Sequence, residues 1–427
     1  MRRNSLFVTA VTLTIAIALT SACGGPPTGI EVEAHTPRAA INRSTVDPTV
    51  IANSSLGSSL YRAIAARSSN FVFSPYGISV TLAMAAAGAR GSTADQLNVV
   101  QHLTPGLNLD EGLNAIGQEL ENRSGPQSND QRRGEIALDL PTSLWIQKQT
   151  RVKQPFLDTL STMFGTGIRT VDFRSDPEAS RNAMNNWIRQ NTHRDIEGLV
   201  PRGLITDVSR LVLTSAASLN APWDIPFESL KSRPAKFTLI DGQSVNPVTM
   251  TVQAPAGLLY AKSDGWEAVS LPYLGRQLEM VVIAPDPGRF ADVEARFDGA
   301  EMQRVITLMR PIPIELHFPK FGFTSQQNLA DMLIELGAPA AFTPGDADFS
   351  AITDDEPLAI ASFPQQTYLS ADEDGTAQST ASQVIRASAK ITVPLTTVHI
   401  DRPFIVMVID RASGEPLVLG RVMNPTA

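Results

Sequence analysis

Five histidines, a single cysteine and several carboxylate pairs are the side chains of this chain best suited to catalysis or metal binding. His35, His102, His193, His317 and His399 share none of the short spacings that a zinc site uses, so no metal is expected. There is no G-x-S-x-G nucleophile elbow, phosphate-cradling glycine loop or dinucleotide fingerprint. His317 in IELHFPKF and His399 in TVHIDRPF read as strand histidines satisfied by a neighbour rather than as bases. Asp354–Asp355 and Asp372–Glu373 read as solvated loop charge. Trp145, Trp187, Trp223 and Trp266 sit among apolar residues and read as core anchors. Enzyme chemistry therefore finds no residue set, and neither catalysis nor a cofactor is expected.

One stretch raises a different kind of chemistry. Residues 372–390 read DEDGTAQSTASQVIRASAK, small and mostly polar, with one glycine, no proline, and only Val384 and Ile385 as sizeable apolar side chains. A core helix would need apolar residues three and four apart, and a core strand would need more apolar area. A passive linker would carry more Gly and Pro. The stretch reads as an exposed loop made of residues that could still pair as a strand.

The elements around it are readable from periodicity. ISVTLAMAAAGA (78–89) is an alanine-rich helix suited to close packing on both sides, begun near Pro75 and stopped near Gly88 and Gly91. STADQL (92–97) opens another, with Ser92 or Thr93 as its cap. Helices are expected over 152–165 and 176–192, and over 327–337, where Gly337 ends it. Segments 210–219, 267–285 and 312–323 read as strands. Helices dominate the first half and strands the second, without strict alternation, which points to an α+β fold.

The 427 residues are 43% hydrophobic with a formal net charge of −8, enough for a sizeable core and a poor match to nucleic acid. Arg2 and Arg3 precede SLFVTAVTLTIAIALT, Ser21 and Ala22, the pattern of a secretory signal over residues 1–22. Cys23, alone in the chain, cannot form an internal disulfide. Its position resembles a lipobox, in which the cysteine is acylated, with Leu19 one residue further upstream than usual; an ordinary signal peptide is the alternative. Residues 23–49 then read as a polar tether denied regular structure by Gly and Pro, leaving 50–427 as one domain. No later apolar run is long enough to span a bilayer. The expected location is extracellular or at the cell surface, with membrane attachment only through Cys23.

Read in order, five stretches resemble the serpin family. NFVFSPYGISVTLAMAAAGARGSTADQL (70–97) is similar to its N-terminal signature. VDFRSDPEASRNAMNNWIRQNTHRDIEGLVP (171–201) and RLVLTSAASLNAPWDIPF (210–227) resemble the approach to its long central strand. LHFPKFGFTSQQNLADMLIELGAPAAFTPGDADFSAI (316–352) and DRPFIVMVIDRASGEPLVLGRVMNP (401–425) resemble its C-terminal signatures. The resemblance implies one domain with three β-sheets, about nine helices and a reactive-centre loop at about 373–397. It implies a monomer whose partner is a target protease of serine type or, alternatively, cysteine type. The loop is the bait; once cut, its N-terminal part enters the large sheet as a new strand.

Carried over residue by residue, Glu373, Gly375 and Thr376 match the family's hinge, which continues through Ala377, Gln378, Ser379, Thr380 and Ala381. The family's spacing puts the scissile bond at Ala389–Lys390, with Lys390–Ile391 as the alternative. Ser74, Ser215 and Gln365 fall at a polar cluster under the insertion point, where Ser215 replaces an asparagine, Gln365 a histidine and Gly77 a serine. Ala221 stands where a glycine is usual before Trp223. Gln378 would face inward with Thr376, Thr380 and Ser382 in an inserted strand, at a cost of roughly 1–3 kcal/mol if its amide found no partner. Two readings follow: an inhibitor that acts as a suicide substrate, or a non-inhibitory binding or structural protein that is cleaved as a simple substrate.

Overall fold

The computed structural model describes residues 29–376, 381–383 (backbone only) and 393–427. From the N-terminus come β1 (Ile30–Val32), α1 (Val46–Ala65), β2 (Phe71–Phe73), α2 (Pro75–Ala87), α3 (Gly91–Val100) and α4 (Leu109–Leu120). Three strands follow, β3 (Gly125–Ser128), β4 (Arg132–Asp139) and β5 (Thr142–Gln147), then α5 (Gln154–Thr159), β6 (Ile168–Val171) and α6 (Pro177–Gln190). The middle of the chain is strand-rich: β7 (Leu211–Pro222), β8 (Arg233–Pro234), β9 (Phe237–Thr238), β10 (Ser244–Val245), β11 (Val248–Ser263), β12 (Trp266–Pro272) and β13 (Leu278–Pro285). Helices Phe290–Arg296 and Gly299–Leu308 lead into β14 (Arg310–Pro319) and β15 (Phe321–Asn328). After helices Ala330–Glu335 and Pro339–Phe342 come β16 (Ile360–Ser362), β17 (Pro364–Ala371), β18 (Gly375–Thr376) and β19 (Ala381–Gln383). The chain closes with β20 (Thr396–His399), β21 (Phe404–Asp410) and β22 (Pro416–Val422).

These strands form three sheets, of eleven, nine and two strands, with ten α-helices among the described residues, an α+β fold. The large sheet has the path β1-β6-β5-β7-β17-β15, and the second runs β2-β22-β21-β13-β12-β11-β14-β20. Helix α2 explains why the two lie together. It is buried nearly all round, and it packs on β5 and β7 of one sheet and β22 of the other. Alanines let both sheets approach it, and Ser74 caps it by accepting a hydrogen bond from the Gly77 N–H at 3.1 Å. Helix α6 is the opposite case. Only Ser180, Ala183, Met184 and Ile188 are buried on it, the spacing of one face. That face covers the outer side of the large sheet with Trp145, Val212 and Ala216, while Leu211, Leu213 and Leu219 of β7 point into the main core. Strand β7 is thus buried on both sides by alternation.

Several expectations need correction. Segment 312–323 is two strands, because the chain breaks at exposed Lys320 between β14 and β15. Gln327 and Asn328 end β15, so the next helix begins only at Ala330; Gly337, at φ +115°, does end that region. Ser92 and Thr93 lie inside α3, which has Arg90 at its cap and no side-chain cap; the Thr93 hydroxyl instead accepts from the Asp348 N–H at 2.9 Å. The 152–165 helix is α5 continued by a π turn over Leu160–Phe164. The expected tether ends before residue 30. β1 pairs antiparallel with β6, with Ile30 opposite Thr170 and Val32 opposite Ile168. The Glu31 carboxylate binds Arg169 and accepts from the Gly167 N–H at 3.0 Å. Further on, the Ala39 N–H donates to Thr162 O at 2.8 Å and Ser161 Oγ donates to Ala34 O at 2.9 Å, so the segment is part of the domain. Gly and Pro before it set no limit once an open sheet edge offers partners.

Candidate functional site

The segment expected to be the hinge sits where the large sheet divides. β7 and β17 run parallel and pair only where Gln365–Thr367 meet Ser215–Ala217. On the same edge of β7, Pro222 and Ala221 pair antiparallel with Gly375 and Thr376 of β18. Among the described residues no strand pairs with Ser218–Asn220 on that edge; β4 pairs with them on the other. The result is a short opening in the sheet, closed below by β17 and above by the hinge.

A tight turn makes this possible. After Ala371 the Asp372 carboxylate accepts from the Asp374 N–H at 2.9 Å and the Gly375 N–H at 3.0 Å, and the Asp372 N–H donates back to Gly375 O at 2.9 Å. The reversal brings Thr376 back beside β7, where its side chain is closed to solvent and its hydroxyl lies 2.6 Å from the Tyr273 phenol oxygen. Burial pushes the Tyr273 pKa well above its usual value, with the Thr376 hydrogen bond acting against the shift, so the phenol stays protonated. Trp223 holds the turn from behind: its N–H donates to Asp374 O at 2.8 Å and its indole N–H to Asp372 O at 2.9 Å.

Charge fastens the same turn. Lys320 Nζ lies 2.9 Å from the Glu373 carboxylate. Partial burial works against the ionised Glu373, but the Lys320 ammonium and neighbouring donors prevail and hold its pKa below the ordinary range. The hydrogen bond to Glu373 raises the Lys320 pKa in return. Arg132 is buried, donates to Trp223 O at 2.6 Å, and has its guanidinium 3.5 Å from the Asp374 carboxylate. Asp372 and Glu373 are therefore turn-forming and ion-paired rather than simply solvated. Asp355 and Asp354 likewise pair with Arg151 and Lys153.

The residues expected to form a polar cluster lie about the lower end of the opening. Ser74, Gly77 and Ser215 are adjacent: a Cβ built on Gly77 would stand 2.6 Å from Ser215 Oγ. Gln365 pairs with Ser215 across the strands and donates through Nε2 to Thr367 Oγ1 at 2.5 Å. Among the described residues Ser215 Oγ and Gln365 Oε1 have no hydrogen-bond partner. Ala221 is fully buried opposite Thr376.

Ala377, Gln378, Ser379 and Thr380 lie outside the described residues, as do Ala389, Lys390, Ile391 and Cys23; Ala381 is described by its backbone, in β19, which pairs with Arg132–Gly134 of β4. Tyr273, Lys320 and Arg132 were not singled out from sequence, and Trp223 only as a core anchor. Tyr273 meets Thr376 across 103 residues, so no local pattern could have linked them. Trp145, Trp223 and Trp266 are buried as expected, whereas Trp187 is half-buried and carries Arg169 over its ring at 4.7 Å. Among the described residues no group of three or more His, Cys, Asp or Glu could hold a metal ion, and no helix is long and apolar enough to cross a membrane.

Comparison with known proteins agrees with this geometry. The family model described as "Serpin (serine protease inhibitor)" matches residues 51–425. An uncharacterized serpin-like protein of Thermococcus kodakarensis is 29% identical over 384 residues, which cover 88% of this chain and 86% of that protein. Plasminogen activator inhibitor 1 of Sus scrofa is 27% identical, over 84% of this chain and 88% of its own. Among solved structures, the thermophilic serpin tengpin in its native state superposes with a TM-score of 0.78 at 22% identity, covering 93% of this chain and all of that one. With that family model matching residues 51–425, the chain belongs to the serpin family.

Proposed function

We propose that this protein inhibits a serine-type endopeptidase as a suicide substrate and is itself not an enzyme. The observation that carries the reading is the hinge: Gly375 and Thr376 already pair with β7, and on that edge no strand among the described residues pairs with Ser218–Asn220. In the proposed sequence the protease serine attacks the carbonyl of Ala389, an ester forms, and the amine of Lys390 leaves. Residues following Thr376 then extend β18 down the open edge of β7 before water can hydrolyse the ester. Glu373, Gly375, Thr376 and Ala377–Ala381 serve as the hinge, and Ser74, Ser215 and Gln365 line the floor that the sheet must part over. Alanine before the cut suits an elastase-like or subtilisin-like pocket; cleavage at Lys390–Ile391 would suit a trypsin-like one.

A second reading has its own observation. Ser215 Oγ and Gln365 Oε1 are buried without partners, a less cohesive floor than a fully bonded cluster. It favours a non-inhibitory protein that is cut as a simple substrate. Incubation with elastase, subtilisin and trypsin separates the two. A detergent-resistant covalent complex on a gel supports inhibition; clean loop cleavage with full protease turnover rejects it. We further propose that the protein acts outside the cell as a monomer, held to the membrane by acylated Cys23. Mass spectrometry of the mature N-terminus tests the acylation, and an unmodified cysteine or its absence from the mature chain would reject it.

A further inference from the structure

Four neighbouring strands of the second sheet carry a stepped row of polar side chains, the step lying between Thr249 and Thr251 of β11. Arg233 of β8 faces Thr249 of β11, Thr251 of β11 faces His317 of β14, and His317 faces His399 of β20. The two imidazoles stack at 4.4 Å between centroids and 12° between planes. The row borders a cleft of about 210 Å³, with Lys231 and Lys236 on its rim and buried Phe237 and Ile400 in its floor.

The charges in the cleft do not cancel. Lys231 is bonded to Glu228 at 2.8 Å, and Asp401 to Arg402 at 3.0 Å. Glu315 receives Nε2 of His317 at 3.0 Å and also Gln253 at 2.5 Å. Arg233 and Lys236 have no ion pair among the described residues, although the chain carries a net charge of −8. Nε2 of His317 lies 3.0 Å from the Glu315 carboxylate and Nδ1 lies 3.2 Å from the Thr251 hydroxyl, so both of its ring nitrogens are engaged. Burial first, then the neighbouring His399, lowers its pKa. The two unpaired cations, Arg233 and Lys236, are left to attract an anion into the cleft.

We propose that this cleft binds a tetrahedral oxyanion, a phosphate or sulfate group, held by Arg233, Lys236 and His399. Donors reach the cleft from β8, from the segment after it and from β20, so a ligand with acceptor oxygens on several sides fits better than a flat carboxylate. Binding ties β8 to β20, the strand that follows the loop. The site does not depend on the inhibitory reading.

Isothermal titration of the full chain with inorganic sulfate tests the proposal, with binding expected at a Kd of about 1 mM or tighter. Inorganic phosphate and a sulfated polysaccharide form parallel arms. Binding of both supports a site for the free group, and binding of the polysaccharide alone supports the same group on a polymer, with a steep salt dependence. The double variant Arg233→Ala with Lys236→Ala should weaken binding about tenfold or more, while melting as the parent does. Absence of binding by every anion, or equal binding by parent and double variant, would overturn it.

Discussion

Thr376 occupies a site with no room for a charge. Its side chain is closed to solvent, bonded to Tyr273 at 2.6 Å and set against Ala221. An arginine there would have to bury an unpaired guanidinium at a cost of roughly 3–5 kcal/mol, so the hinge would stay outside the sheet. Thr376→Arg should therefore slow insertion by on the order of 100-fold and turn the protein into a substrate, read as more inhibitor cleaved per protease inactivated. Glu415 tests burial in another way. It is fully buried, its Oε1 accepts from Asn53 Nδ2 at 2.8 Å, and its Oε2 has no partner. Burial raises its pKa well above normal, and nearby Asp410 adds to the shift. A raised native pKa gives stability that is complete below the ordinary carboxylate value of about 4.3 and lost as pH rises through the native value. Glu415→Gln should flatten that decline, seen as a smaller fall in denaturant midpoint with increasing pH than the parent shows.

Elements differed in how much of themselves the sequence disclosed. Helix α6 was plain because an Asp–Pro start and a one-sided apolar pattern coincide, and β7 because LVLTSAASL is rich in apolar and small β-tolerant residues with no Gly or Pro to break it. Helix α2 was recognised from alanine content although it has almost no amphipathic pattern, being buried on every side. What stayed hidden were features decided by distant partners. The break at Lys320 serves an ion pair with Glu373, 53 residues on. β1 exists because β6 offers an edge, 138 residues away from Glu31 at Arg169. The hinge residues could be named by likeness, but their turn and their anchorage to Trp223 and Tyr273 could not. The strength of the β1 attachment can be measured. Glu31→Ala leaves the guanidinium of Arg169 and the Gly167 N–H without their acceptor, and should destabilise the chain by about 1–3 kcal/mol, with faster amide exchange in β6.

Taken as one body, the molecule has, among its described residues, no strand on Ser218–Asn220 at the β17 edge of β7 in its largest sheet. Parting β7 from β17 and inserting a cleaved loop between them would add roughly ten backbone hydrogen bonds, each contributing about 1 kcal/mol. At about 2 °C per kcal/mol for a chain of this size, melting should rise by on the order of 20 °C after a single cut in the loop. Calorimetry of intact and nicked protein checks this; equal melting temperatures would show that the gap stays empty. The N-terminal strand has a consequence of its own. By occupying β6 it blunts one flank of that sheet, and unsheathed flanks are where polypeptides of like kind zip together. A chain shortened to begin at residue 34 should accordingly sediment as larger species as its concentration is raised, so the leading segment acts as a guard against self-stacking.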